Sequence, residues 1–474
     1  MALVVAGGFL PFIDKLRFYI YNPTSRASIG LSAPSGKRRE HESRMSSADP
    51  IRSEVRAASA ARTSIAALAL IVGLFFLWGV ANNLNDILIK QFKNAFTLSD
   101  FQAGLVQSAF YLGYFLLAIP AGICMRRIGF KGAILVGLAL YAIGALLFYP
   151  AASALSYPLF LCGLFVIASG LSFLETSANP LVTVLGPAAS AARRLNFAQA
   201  FNPLGSITGV LIGRWFIFSG VEHTSRQLSA MTSAARHAYF ASEALRVQTP
   251  YLAIAVVVIV FALLIAWVRF PSSSAQITDS LSGAHHLGRL LRNGYFLSAV
   301  AAQFFYVGAQ VTVWSWLIRY TQGTLPGTPE KRAADFLTLS LIAFTAGRFA
   351  GTALMRFVPA RVLLALFAAI NVLLCGTAIL VPGQIGLGTL VAASFFMSVM
   401  YPTIFALGVD GLNDDERKLG ASLLVMAIVG GAVLTASTGA VSDSFGIATA
   451  MSVPLVCFAA VFAFALRRGR IANV

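Results

Sequence analysis

The sequence predicts an all-α integral membrane protein of twelve transmembrane helices, arranged as two six-helix bundles in parallel repeat. Three observations predict it. Of the 474 residues, 58% are apolar and only 11% charged, whereas a soluble domain spends about 25% on charge; mean hydropathy is +0.78. Runs near the ~20 apolar residues that cross a bilayer fall into two sets of six on either side of a polar stretch. Motifs of the first set recur in the second. Ala121-Gly122 with Met125-Arg126 is matched by Ala350-Gly351 with Met355-Arg356, Pro180 and Gly186 by Pro402 and Gly408, and Arg193-Arg194-Leu195 by Arg417-Lys418-Leu419. The offsets of 229, 222 and 224 residues indicate one half duplicated. A shift of six helices preserves orientation, so an axis along the membrane normal relates the halves, which suits alternating access.

The first six spans lie at about 64–89, 102–125, 130–150, 157–185, 197–219 and 250–269. The second six lie at about 294–318, 335–357, 361–381, 384–409, 419–441 and 447–466. The domain boundaries follow: a basic cytoplasmic tail (1–63), an N-terminal bundle (64–270), a cytoplasmic linker (271–293), a C-terminal bundle (294–467) and a short tail (468–474). The linker is rich in Ser, and His285 and His286 within it read as part of a solvated basic loop rather than a metal site. Residues 1–63 carry scattered Lys and Arg among Ser and Pro, and Asp14 and Lys15 break the early apolar stretch, so a signal peptide is not expected. Met45 is an alternative start, because the segment after it would make a short cytoplasmic lead.

A net charge of +17 on a soluble chain would suggest nucleic acid; here it sets orientation. Arg126, Arg127, Lys131, Arg193, Arg194, Arg356, Arg361, Arg417 and Lys418 fall in short loops on one side, with Arg467, Arg468 and Arg470 in the tail. Cytoplasmic loops carry the excess of positive charge, so both termini are expected inside. Cys124, Cys162, Cys375 and Cys457 sit in apolar runs and read as small buried hydrophobes. No Gly-rich loop ends in Lys-Ser or Lys-Thr, which argues against ATP hydrolysis.

Ionisable groups within spans are costly and mark function. Outside the tail most acids fall in loops or at helix ends; Asp86 and Glu175 are embedded. Trp78, Asn82, Asn85 and Asp86 share a stripe of the first helix, with Asn83 beside it. Glu175 and Asn179 are four apart, Asn196, Gln199 and Asn202 recur every three, and Gln303, Tyr306, Gln310 and Trp314 form a stripe on the seventh helix. Amides and carboxylates beside aromatic rings suit a sugar, whose hydroxyls need paired partners and whose apolar face packs on a ring. The competing reading is that the amides only join helices. Asp86 suits proton carriage, sodium ligation helped by the nearby Asn residues, or a structural hydrogen bond. Glu175 suits sugar binding, proton relay or both. Arg348, within AGRFAG, suits substrate contact, charge neutralisation or bonding to helix ends, and Arg214 reads as snorkelling to the interface. Gly205, Gly209 and Gly213 recur every four and predict close helix approach.

The segments FFLWGVANNLNDILIKQFKNAFTLSDFQAGLVQSAFYLGYFLLAIPAG, LETSANPLVTVLGP, LNFAQAFNPLGS, AQFFYVGAQVTVWSWLIRY and MSVMYPTIFALGVDGL resemble the L-fucose/proton symporter family, with its glucose/galactose members, in the major facilitator superfamily. The resemblance covers about residues 64–467. It implies the major facilitator fold and import of a hexose, L-fucose first, driven by protons across a bacterial inner membrane, with no cofactor beyond the coupling proton. It ties proton coupling to Asp86 and puts Glu175 in the central cavity, linked to transport, where it is expected to serve both proton coupling and substrate binding. It also places Gln199 and Asn202 as sugar contacts or partners of Glu175, and Arg348 in the central cavity. Asn82, Asn85, Gln310, Trp314 and Tyr401 complete the expected substrate site. The partners implied are a sugar, protons and membrane lipids, with no nucleic acid and a monomeric carrier. One departure stands out: the loop between helices two and three usually carries an Asp before its Arg, whereas this chain has GICMRRIGFK. Alternatives are glucose/galactose transport, sodium coupling, a passive channel and a membrane enzyme acting on lipid-linked sugars; no catalytic residues or metal ligands mark the last.

Overall fold

The computed structural model describes residues 66–82, 84, 100–217, 231–268, 270 and 280–467. Outside them lie the basic tail with Met45, the stretch carrying Asn83, Asn85 and Asp86, residues 271–279, and Arg468 and Arg470; the side chains of Arg214 and His285 are likewise not described.

Over the described residues, each of the twelve predicted spans coincides with a helix. In the first half these are α1 (Ala66–Asn82), α2 (100–128), α3 (130–153), α4 (Tyr157–Val184) and α5, a broken helix of Ala191–Gln199 and Phe201–Ile212. Helix α6 (Ser233–Leu245) then leads into the sixth span, α7 (Gln248–Trp267). Helices α2 and α3 run together except at Gly129, whose φ of 76° turns the chain where a side chain would strain it. Helix α8 (Ser280–Arg292) follows. The second half comprises α9 (Gly294–Thr324), α10 (Glu330–Leu354), α11 (Ala360–Leu380), α12 (Gln384–Gly408), α13 (Asp414–Phe445) and α14 (Ile447–Leu466).

Two helices depart from expectation. Helix α6 was not foreseen, and α8 replaces a loop. Serines, glycine and a His pair suggested solvated coil, but Leu287, Leu290 and Leu291 are spaced for one helical face. Leu290 is buried, while Arg289 reaches Glu416 at 3.1 Å and His286 approaches Asp415 at 4.0 Å. The cysteine expectation also needs correction. Cys375 and Cys457 are buried, but Cys162 is exposed and Cys124 half-buried, positions that an apolar side chain tolerates in a bilayer.

The repeat is visible in how helices are capped. Lys131, at the start of α3, donates to the Ala266 and Val268 carbonyls at the end of α7, at 2.6 and 3.0 Å. Arg361, at the start of α11, donates to the carbonyl of Arg467 just beyond α14. In both halves a cation on the third span thus satisfies otherwise orphaned carbonyls beside the sixth. Arg194 is buried and donates to the carbonyls of Thr183 at 2.8 Å and Pro187 at 2.7 Å, closing the end of α4. Its counterpart in the repeat, Lys418, is also buried, 3.9 Å from Asp415 and over the Phe130 ring. Lys131, Arg361 and Arg194 therefore close helix ends.

Helices α1 and α5 touch backbone to backbone. A Cβ on Gly205 would lie 2.0 Å from the Phe76 carbonyl oxygen, which bears out the close approach predicted there. Asn202 crosses the same contact, donating to the Phe75 carbonyl at 3.3 Å.

Candidate functional site

A cavity of about 540 Å³ lies between the two halves. From the first half, α1 brings Trp78 and Asn82, α2 brings Phe110, Tyr111 and Tyr114, α4 brings Glu175, and α5 brings Gln199, Asn202 and Ser206. From the second, α9 contributes Gln310 and Trp314, α10 contributes Phe344 and Arg348, and α12 contributes Tyr401. Every predicted site residue within the described regions therefore lines one cavity: Asn82, Glu175, Gln199, Asn202, Gln310, Trp314, Arg348 and Tyr401. Asp86 and Asn85 lie outside the described residues.

Two polar links cross between the halves at the cavity. Tyr401 donates its hydroxyl hydrogen to Glu175 Oε1. Arg348 donates to Gln199 Oε1 at 3.2 Å and to the Gln199 carbonyl at 3.4 Å, where α5 is interrupted. Gln199 in turn donates to Asn179 Oδ1 at 2.8 Å. The carboxylate's partner is thus Tyr401, and Gln199 belongs to the arginine's cluster. Of the three roles open to Arg348, the guanidinium satisfies a helix-end carbonyl, and its plane also lies 4.9 Å from the Phe344 ring.

These groups are deeply enclosed: Glu175 is 2% exposed, Gln199 2%, Arg348 5% and Tyr401 7%. Glu175 Oε2 and Arg348 Nε are buried and make no hydrogen bond to protein. Leaving such groups unmatched costs about 1–3 kcal/mol each, so a ligand rich in hydroxyls has something to gain here. The rings flanking them supply apolar surface.

Two predicted stripes split by depth. On α9 Gln310 and Trp314 line the cavity, whereas Gln303 and Tyr306 are fully buried behind it, Tyr306 donating to the Met397 carbonyl at 2.9 Å. On α5 Gln199 and Asn202 line the cavity, but Asn196 lies outside it and donates to Thr403 Oγ1 across the halves at 3.0 Å. The sequence reading also missed Phe110, Tyr111, Tyr114, Ser206 and Phe344, residues that ordinary transmembrane helices carry and that no pattern singles out.

Beyond the cavity, the halves meet at the end that bears the basic loops. Arg126 of α2 lies 3.7 Å from Asp415 of α13. Asp415 is also approached by Lys418 and by His286 of α8. The carboxylate missing from the loop after α2 is therefore supplied by the opposite half.

A twelve-helix membrane protein whose two like halves enclose a cavity of aromatic and aliphatic side chains set with a few amide and charged groups is a transporter rather than an enzyme. A family model described as the Major Facilitator Superfamily matches residues 64–436, and the chain belongs to that family. It is 49% identical to the L-fucose-proton symporter of Escherichia coli, over 88% of this chain and 96% of that protein. It is 37% identical to a glucose/galactose transporter of Brucella abortus, over 84% of this chain and 93% of that one. Among solved structures it is similar to the crystal structure of a major facilitator superfamily transporter, FucP, in the outward conformation. That match has a TM-score of 0.80 at 48% identity and covers 85% of this chain and 98% of the other.

Proposed function

We propose that this chain imports L-fucose together with protons across a bacterial inner membrane by alternating access, with both termini cytoplasmic. The single observation that carries this reading is the cavity itself. An embedded carboxylate bound across the halves by Tyr401 shares it with a guanidinium, amides and two tryptophans. Similarity at 49% to an L-fucose-proton symporter supports the substrate and the coupling ion, against 37% for the glucose/galactose relative. One chain supplies both walls of the cavity, so a monomer suffices.

In this reading Asn82, Glu175, Gln199, Asn202, Gln310 and Arg348 meet the sugar hydroxyls, Trp314 packs on its apolar face, and Tyr401 holds Glu175. Asp86, with Asn85 one residue before it, carries the coupling proton. Glu175 accepts that proton in the cavity, and no metal ion or cofactor takes part. The basic loops face the cytoplasm, so the ion pairs around Asp415 close the inner end while the cavity serves the outer one.

The substrate assignment is tested by competition of unlabelled hexoses against labelled L-fucose. L-Fucose should compete at the lowest concentration; better competition by D-glucose or D-galactose would overturn the assignment. The gate gives a second expectation. Asp415 is partly exposed, and an ion pair that water still reaches contributes about 0.2–1 kcal/mol, so removing the carboxylate that Arg126, Lys418 and His286 approach should cost about 1–2 kcal/mol. Asp415→Asn should therefore raise the population open to the cytoplasm roughly 5- to 30-fold. Spin-label distances between α2 and α13 would read this directly. Asp414→Asn, whose pair with Arg417 lies within one helix, should leave those distances unchanged.

A further inference from the structure

Both cavity tryptophans have their indole N–H engaged within their own half. Trp78 donates to the Tyr114 hydroxyl, and Tyr114 is itself a cavity residue. Trp314 of α9 donates to Ser394 Oγ of α12 at 3.2 Å. Ser394 is in turn hydrogen-bonded to Ser340 of α10. Unlike Tyr114, neither serine lines the cavity, and both are fully buried. The Trp314 ring also meets Phe344 edge to face, with centroids 5.0 Å apart and planes at 76°.

We propose that Ser394, supported by Ser340, is a positioning residue for substrate binding: it holds the Trp314 indole so that ring carbon, and not the N–H, is offered to the sugar. This rests on the sugar-carrier reading above. An indole has one hydrogen-bond donor and no acceptor, so the bond to Ser394 uses all of its polar capacity. What remains toward the cavity is an apolar surface in a fixed orientation. Three helices of the second half, α9, α10 and α12, meet in this one contact, so the wall is set by their packing before any ligand arrives. Without Ser394 the N–H would have to find another acceptor or stay unpaired in a dry wall, at a cost that turns the ring.

The test is L-fucose binding to the purified full-length protein by titration calorimetry, with uptake by proteoliposomes alongside. Ser394→Ala should weaken affinity about three- to tenfold, the weight of one ordinary hydrogen bond. Maximal uptake rate and the accumulation ratio at a fixed proton gradient should not change. In a Trp314→Phe background, which lacks the N–H, adding Ser394→Ala should have almost no further effect. Unchanged affinity in Ser394→Ala would overturn the inference, as would the same loss with and without the Trp314 indole. If the unaltered protein fails to bind L-fucose, the proposed function falls as well; if it binds and Ser394→Ala binds equally, only the positioning role falls.

Discussion

Asp86→Asn should abolish uphill accumulation of the sugar while leaving exchange of labelled for unlabelled sugar intact. The amide keeps the size and much of the hydrogen bonding of the carboxylate but cannot carry a proton at any physiological pH. A membrane potential of 100 mV supplies about 2.3 kcal/mol per charge moved, which sustains roughly a 50-fold sugar gradient for one proton per sugar. The substitution should bring that ratio to about one. Exchange needs only the loaded carrier to reorient, so it should continue. Counterflow and accumulation measured on the same vesicles separate the two processes. Accumulation at the unaltered level in Asp86→Asn would remove this residue from coupling.

Glu175→Ala should have the second large effect, this time on binding. It deletes the acceptor of the Tyr401 hydroxyl and one of the two direct polar links between the halves at the cavity. A hydrogen bond to a charged group is worth about 1.5–3 kcal/mol, so affinity for the sugar should fall about 10- to 150-fold. Glu175→Gln can still accept from Tyr401 and should recover much of that affinity. It should not recover proton-coupled accumulation, because the amide cannot take the proton that Glu175 accepts. Titration calorimetry on the three proteins reads the first comparison and vesicle uptake the second. Equal affinity in Glu175→Ala and the unaltered protein would place the sugar site elsewhere.

What the sequence disclosed follows from the cost of polar groups in lipid. Glu175, Gln199, Arg348 and Gln310 stand out because they interrupt apolar runs, and all four line the cavity. Tyr114 and Phe344 line it too, but aromatic residues are ordinary in a transmembrane helix and nothing marked them. Periodicity also has a limit. Gln303 and Gln310 lie on nearly the same face of α9, yet seven residues advance a helix by about 10 Å. That distance separates a cavity wall from the packed interior behind it. Asn196 and Asn202 differ on α5 for another reason: six residues turn a helix about 120° away from the starting face, and α5 is interrupted between them. A helical stripe reports direction around the axis, while depth along it depends on where the opposite half approaches. The pairing of Arg126 with Asp415 was illegible for a related reason: the residues lie in different halves, and no local pattern links them. Helix α8 is hard to read in the sequence because its Ser, Gly and His residues resemble a loop, and the spacing of Leu287, Leu290 and Leu291 covers little more than one turn.

The claim that matters most is coupled movement of sugar and proton through this one chain. Purified protein in proteoliposomes without sodium, given L-fucose outside in an unbuffered medium, should draw protons inward and alkalinise the exterior as the sugar enters. A protonophore should abolish accumulation. Uptake that requires sodium and leaves the external pH unchanged would contradict the account.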